Sequence, residues 1–310
     1  MNTNPILSTC PDPLTRAPLA SHGNRRPHAR LHLAPPGLHG AVVAMLCRDT
    51  RSFELSDAQR LTHFPASPMV SLTWFQGVDA GRIEQTEDGP EWRPFNSAIV
   101  LSGSHSYPTT CWARTGGRIG MICFEADAAQ KLFKINLSFV QDTIVDARKF
   151  LGSTWWTLFD ELLASDNDAA ALATLQHHLA PHWRAVSGAS PILPSLREAG
   201  RYWVNRLAWQ AREWRRSHSP RHVERRIKAY SGRSLREWQS LVKTESLFFS
   251  ARARFEAGEA LDWATIAHDE GFADQAHLSR AVKRSTGFSP NEFARRFAED
   301  ESFWLYRLWA

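Results

Sequence analysis

The feature that most constrains this chain is an internal repeat, offset by 55 residues, near its C-terminal end. The string SPRHVERRIKAYSGRSLREW at 219–238 aligns without a gap to DQAHLSRAVKRSTGFSPNEF at 274–293. Six positions are identical: His222/His277, Arg225/Arg280, Lys228/Lys283, Gly232/Gly287, Ser234/Ser289 and Glu237/Glu292. Apolar character is kept at Val223/Leu278, Ile227/Val282 and Trp238/Phe293. One small structural unit is therefore built twice.

The unit reads as helix, turn, helix. Ser219 and Asp274 are short oxygen-bearing residues suited to an N-cap, where they accept an otherwise unpaired backbone N–H. Pro220 suits the first helical position. Val223 and Ile227, like Leu278 and Val282, are four apart and share one inward face. Gly232 and Gly287 end each helix in the left-handed conformation that glycine adopts freely. Ser234…Glu237 and Ser289…Glu292 then open a second helix as capping boxes, with Pro290 again at a first position. Before the second copy, 261–270 (LDWATIAHDE) reads as a short amphipathic helix with Ile266 and Ala267 inward. Gly271, Phe272 and Ala273 turn from it into the helix that Asp274 caps. A short helix, a glycine turn and a second capped helix form the helix-turn-helix pattern.

The outward faces carry the chemistry. In the second copy they present Gln275, Ala276, Ser279, Arg280 and Lys283, with His277 at the edge. The first copy presents Pro220, Arg221, Glu224, Arg225 and Lys228, with His222 at the edge. Arg pairs bidentately with guanine and Gln with adenine in the major groove. Lys228, Lys283, Arg226 and Arg284 suit phosphates, which position a protein without reading sequence. One such helix could equally be the solvated face of a bundle. Two copies with matched caps and matched Arg and Lys favour a shared double-stranded DNA partner. Between them, 239–258 has apolar residues on one side and reads as a connecting helix about 30 Å long at ~1.5 Å per residue.

Charge agrees with this placement. The net charge is +5 over 310 residues. Residues 1–194 hold 16 Lys+Arg against 17 Asp+Glu, whereas 195–310 hold 21 against 15. The whole excess lies in the C-terminal third, which points to an anionic partner. No apolar run approaches the ~20 residues of a membrane span. The first residues show no cationic start followed by an apolar stretch, so no secretory signal is expected and a cytoplasmic location is. Cys10, Cys47, Cys111 and Cys123 lack metal spacing and read as reduced thiols.

The remainder divides by texture. Residues 1–40, rich in Pro, His and Arg, read as a flexible arm. Residues 41–187 form a β-rich domain with a helical end: short apolar runs broken by turn residues to about 125, suggesting a sandwich or barrel, then helical patterns. Residues 188–194 have the composition of a linker, and 195–310 read as helix. The fold class is therefore α+β multidomain. A metal-binding β-barrel wants paired His with a nearby carboxylate; His105 stands alone, His177 and His178 are adjacent, and the arm histidines His22, His28, His32 and His39 are irregularly spaced. No metal or cofactor is expected, and with no nucleophile elbow or phosphate loop in sight, neither is an enzyme. Trp74, Phe75, Trp92, Tyr107 and Trp112 read as core before pocket.

Residues 261–296 resemble the AraC family of bacterial transcription regulators. The resemblance rests on Ile266-Ala267, Gly271-Phe272-x-Asp274-Gln275, Leu278-x-Arg280, Lys283, Gly287 and Ser289-Pro290. It implies two helix-turn-helix units joined by a long helix, with base contacts at Gln275, Ala276, His277 and Arg280 and at Pro220, Arg221, His222 and Arg225. It also implies an N-terminal cupin-like β-barrel that binds a small-molecule effector or forms a homodimer, and RNA polymerase as a partner. The first unit departs from the pattern. From Ala208 to Ser219 is 11 residues, against 7 from Ala267 to Asp274, and Arg216-Ser217-His218 replaces the turn glycine. Its first helix is expected to run about one turn longer. The competing reading is a cupin-type metal enzyme with an accessory helical nucleic-acid-binding domain.

Overall fold

The computed structural model describes residues 10–21, 26–187, 196–259 and 262–309. The N-terminal region is built on ten strands: β1 (His28–Leu33), β2 (Val42–Asp49), β3 (Leu61–Phe64), β4 (Val70–Gln76), β5 (Ala80–Thr86), β6 (Gly89–Pro94), β7 (Ile99–Ser102), β8 (Thr109–Ala113), β9 (Arg118–Phe124) and β10 (Ile144–Asp146). They form two antiparallel sheets, ordered β1-β2-β9-β4-β7-β10 and β3-β8-β5-β6. The expected cupin-like barrel is not closed. Among the described residues the sheets share no hydrogen-bonded strand pair, and the space between them is left as a cavity.

Alternation along β4 shows how the sequence builds these layers. Val70, Leu72 and Trp74 are fully buried in the main core, whereas Ser71, Thr73 and Phe75 line the cavity between the sheets. Trp74 lies opposite Gly120 of β9. A Cβ at Gly120 would sit 2.0 Å from the indole, so glycine is what lets the ring lie across the sheet. Four helices pack on that core face: α1 (Ala126–Phe133), α2 (Ala147–Leu151), α3 (Trp156–Ala164) and α4 (Asp168–Ser187).

The C-terminal region is helical, as expected: α5 (Leu196–Arg215), α6 (Pro220–Ser231), α7 (Leu235–Glu256), α8 (Trp263–Asp269), α9 (Gln275–Thr286), α10 (Pro290–Glu299) and α11 (Trp304–Trp309). The helix opened by Ser234 and the connecting helix are one element, α7, because nothing in 235–256 breaks the backbone ladder. The linker proposed at 188–194 lies outside the described residues. Packing does not divide at that point. Trp203, Val204 and Leu207 of α5, Val223 and Ile227 of α6, and Trp238 of α7 belong to the same core as the six-stranded sheet. Only the second unit has a core of its own, around Ile266, Leu278, Val282, Phe293 and Phe303.

Residues 10–21 and 26–40, read from sequence as flexible arm, take up defined positions. Ala17 and Ala20 are buried, and their N–H groups donate to Asp300 (3.3 Å) and Glu301 (3.0 Å). Residues 28–33 are the edge strand β1. An extended segment held by backbone hydrogen bonds leaves no apolar period, which is why composition suggested an arm.

Polar clamps join the two regions. Arg48 pairs with Glu301 at 2.6 Å, both buried. Arg233 donates to the Ser104 carbonyl at 2.7 Å and pairs with Asp142 at 3.0 Å. Arg206 of α5 reaches Glu125 (3.1 Å) and Asp127 (2.5 Å). Burial, and then the neighbouring Asp127, hold the Glu125 carboxyl up to about 8, outweighing Arg206. A carboxyl raised on folding adds stability that is complete below its unfolded value and is lost as pH rises through the folded one. The melting temperature should therefore fall from about pH 5 to about 8, and Glu125→Gln should flatten that slope; an unchanged slope in thermal melts would contradict it.

Candidate nucleic-acid interface

The repeat is reproduced residue for residue. Helix α6 spans 220–231 and α9 spans 275–286, the same 55-residue offset as in the sequence. Ser219 Oγ accepts the His222 N–H at 3.3 Å, and Asp274 Oδ1 accepts the His277 N–H at 2.6 Å. Gly232 (φ 82°) and Gly287 (φ 84°) are left-handed and donate to the carbonyls of Lys228 and Lys283. The first capping box is complete: Ser234 N–H donates to Glu237 at 2.7 Å and Glu237 N–H to Ser234 Oγ at 3.3 Å. In the second, Glu292 N–H donates to Ser289 Oγ, but the Glu292 carboxylate binds Arg295, Arg296 and Arg16. Three competing guanidinium groups draw it away from the helix start. Past Ala208 the first helix runs on to Arg215, whereas past Ala267 the second stops at Asp269, so its end is longer by about the turn expected; it also starts much earlier, so that α5 has 20 residues where α8 has 7.

The two helices bury their apolar stripes and expose their polar ones. Val223 and Ile227, like Leu278 and Val282, are buried. On α9, Gln275, Ala276, Arg280 and Lys283 are exposed and Ser279 is half-buried. His277 is also half-buried, its ring edge-on to Phe272 at 5.3 Å, so it belongs as much to the turn as to the outer face. On α6, Pro220, Arg221, Arg225 and Lys228 are exposed. His222 stacks on His218 at 4.6 Å and takes a hydrogen bond from Arg225. Desolvation, then His218 and the guanidinium groups of Arg225 and Arg226, lower the His222 imidazole below its ordinary value.

Not all the basic excess faces outward. Arg201, Arg206, Arg233, Arg254 and Arg296 are ion-paired within the protein. Arg226, read as a phosphate candidate, lies over the Trp214 ring at 4.3 Å. Among the described residues of this region, Arg212, Arg215, Arg221, Arg225, Arg226, Arg236, Arg280, Lys283 and Arg284 are exposed and in no ion pair. Lys228 is loosely paired with Glu224 at 3.8 Å.

A second site was not visible in the sequence. A cavity of about 160 Å³ lies between the sheets and is closed at one side by Trp304, Leu305 and Tyr306 of α11. Phe75 and Trp112 line it; of the other three aromatic candidates, Trp74 faces the opposite core, Trp92 stands edge-on behind Trp112, and Tyr107 is exposed. Glu245 of α7 reaches its wall, and no Lys or Arg is among the described lining residues. His105 Nδ1 and Thr109 Oγ1 of that lining are buried without a hydrogen-bond partner. Burial holds His105 down to about 4, so the imidazole is neutral.

No protein-family model matches the chain, and no curated protein matches it. Solved structures similar to it include ToxT from Vibrio cholerae O395, at 11% identity and a TM-score of 0.37, covering 87% of this chain and 96% of that one. Wild-type ToxT from Vibrio cholerae strain SCE256, bound to an unsaturated fatty acid, gives 10% identity and 0.36 over 76% of this chain and 93% of that one. The AraC-like transcriptional activator CuxR gives 13% identity and 0.24 over 87% and 84%.

The caps set where α6 and α9 begin. Asp274→Ala should therefore destabilise the protein by about 1 kcal/mol and Asp274→Asn by far less, since amide oxygen also caps. Urea denaturation checks this, and equal losses in both variants would count against the cap.

Proposed function

We propose that this chain is a sequence-specific, double-stranded-DNA-binding transcription regulator. The single observation that carries the reading is the duplicated unit: two helices capped at matching positions, each exposing a basic face at the same repeat positions. Base readout falls to Gln275, Ala276, Arg280, Pro220, Arg221 and Arg225, with His277, Ser279 and His222 at the edges. Lys228 and Lys283 contact phosphates. Helix α7, with 22 residues, is about 33 Å long at ~1.5 Å per residue. One turn of B-DNA is ~34 Å, so a single chain can address adjacent major-groove segments.

The cavity supports an effector role for the N-terminal region. Its wall is mostly apolar and lacks a cation, and it ends on the neutral His105 and Thr109. That lining suits an uncharged apolar molecule with one hydrogen-bonding group. Because α11 and Glu245 form part of the wall, a bound molecule touches the helical region directly. The AraC resemblance adds RNA polymerase and a second copy of the chain as partners, and the same features favour a regulator over an enzyme.

Selection from randomised DNA followed by footprinting tests the reading. One protected site of about 15–20 bp is expected from two groove segments a turn apart. Arg280→Ala should relax choice at one base position, a loss of about 1–3 kcal/mol in discrimination. Lys283→Ala should weaken all sequences alike and flatten the salt dependence by roughly one unit of slope. Binding without sequence preference would overturn the proposal.

A further inference from the structure

A second cluster lies on the opposite side of the six-stranded sheet from the effector cavity. Alternation along β1 places His28, Arg30 and His32 on one face, and the antiparallel register sets Arg30 opposite Cys47 of β2. Asp168, the first residue of α4, reaches down to them. His32 Nε2 lies 2.9 Å from Asp168 Oδ2. The other oxygen, Oδ1, takes a 2.8 Å hydrogen bond from Arg118. Arg118 is itself held by Gln76 Oε1 (2.9 Å) and the Ser165 carbonyl (2.7 Å). The ligand atoms of His32, Cys47 and Asp168 all lie within 4.8 Å of one another.

We propose that His32, Cys47 and Asp168 form a binding site for one thiophilic divalent cation, with zinc the best fit. Imidazole, thiolate and carboxylate are the three ligand types zinc accepts. A tetrahedral zinc spaces such ligands roughly 3.3–3.6 Å apart, so the three side chains need adjust by only about 1 Å. A carboxylate that ligates through one oxygen while an outer donor fixes the other is the usual second-layer arrangement, and Arg118 is the positioning residue here. The cluster opens into a cleft of about 310 Å³ lined also by Asp49, Asp166 and Asn167, which gives an ion its entry path and a fourth position. Two cations on this face are already engaged: Asp49 binds Arg51 in a fork, and Asp168 binds Arg118. Arg30 and Asp166 also line the cleft and offset one another, so with the thiolate, the Asp168 carboxylate and the cation the site is left with about one positive charge in excess.

From sequence the arm histidines were too irregularly spaced for a metal site. The fold changes that by taking one ligand from each of three elements. The other face of β1 is also informative. Ala29 and Leu31 pack with Trp304, Leu305 and Leu308, so an ion fixing His32 to β2 and α4 stiffens the strand on which α11 rests.

The test uses the full chain, stripped of metal and free of DNA, so it stands apart from the DNA reading. Titration with Co²⁺ should show one equivalent bound with a sulfur-to-cobalt charge-transfer band. Cys47→Ser should abolish the band, and His32→Ala, at a half-exposed position, should weaken binding at least tenfold. Zn²⁺ should raise the melting temperature of the parent chain and of neither variant, because a ligand bound only by the folded state stabilises it. Absence of the sulfur band, or Co²⁺ and Zn²⁺ responses unchanged in both variants, overturns the site. Should Cys47→Ser fail to fold, His32→Ala decides alone.

Discussion

The buried pairing of Arg48 with Glu301 is the contact on which the rest of the arrangement depends. Both side chains are almost wholly removed from solvent, and the guanidinium also lies over Trp304 at 4.8 Å. Such a pair gives little net stability beside an apolar alternative, but loss of one partner leaves a stranded charge that costs about 3–5 kcal/mol. What it supplies is position. Glu301 also accepts the Ala20 N–H and donates its own N–H to Ala17. One residue thus orders the N-terminal segment, seats α11 in the mouth of the open sandwich, and sets Phe303 and Tyr306 into the second unit's core. A sandwich that does not close on itself is closed by residues from the far end of the chain.

The two helix-turn-helix units are alike in local chemistry and different in support. The first is continuous with the sheet's main core through Trp203, Ile227 and Trp238, and Arg233 anchors it to Ser104 and Asp142. The second packs on itself and is tied to the sheets mainly through α11 and the segment 10–21. Disturbance of the sandwich therefore reaches them by separate routes.

The parts of the fold that were legible in the sequence are those with local causes. Caps at Ser219, Asp274 and Ser234, the left-handed glycines, and the 3.6-residue stripes act within one or two turns, so a repeat in sequence becomes a repeat in space. The β region was legible only as texture, because sheet order and the failure to close depend on pairings between residues far apart, such as Trp74 with Gly120. Arg226 was counted with the outward phosphate candidates, yet it stacks on Trp214. Charge in a sequence does not say which side of a helix is already spoken for. The His32–Cys47–Asp168 cluster and the cavity had no local signal at all, since each is assembled from separate elements.

One further feature bears on how the two units can move. The C-terminal carbonyls of α6 and α9 are both held by the β region: Gln141 donates to Ser231 and Ala66 N–H donates to Ser285, at 3.2 and 2.8 Å. The pair therefore behaves like the jaws of a calliper whose setting is kept by the body and not by the bar α7 alone. Successive bases along a strand are ~3.4 Å apart, so a shift of that order between the two seats is a change of one step in gauge. Under the function proposed above, a molecule in the sandwich that moved Ala66 against Gln141 would alter which DNA site spacings the jaws fit, without touching a single residue proposed to face the groove.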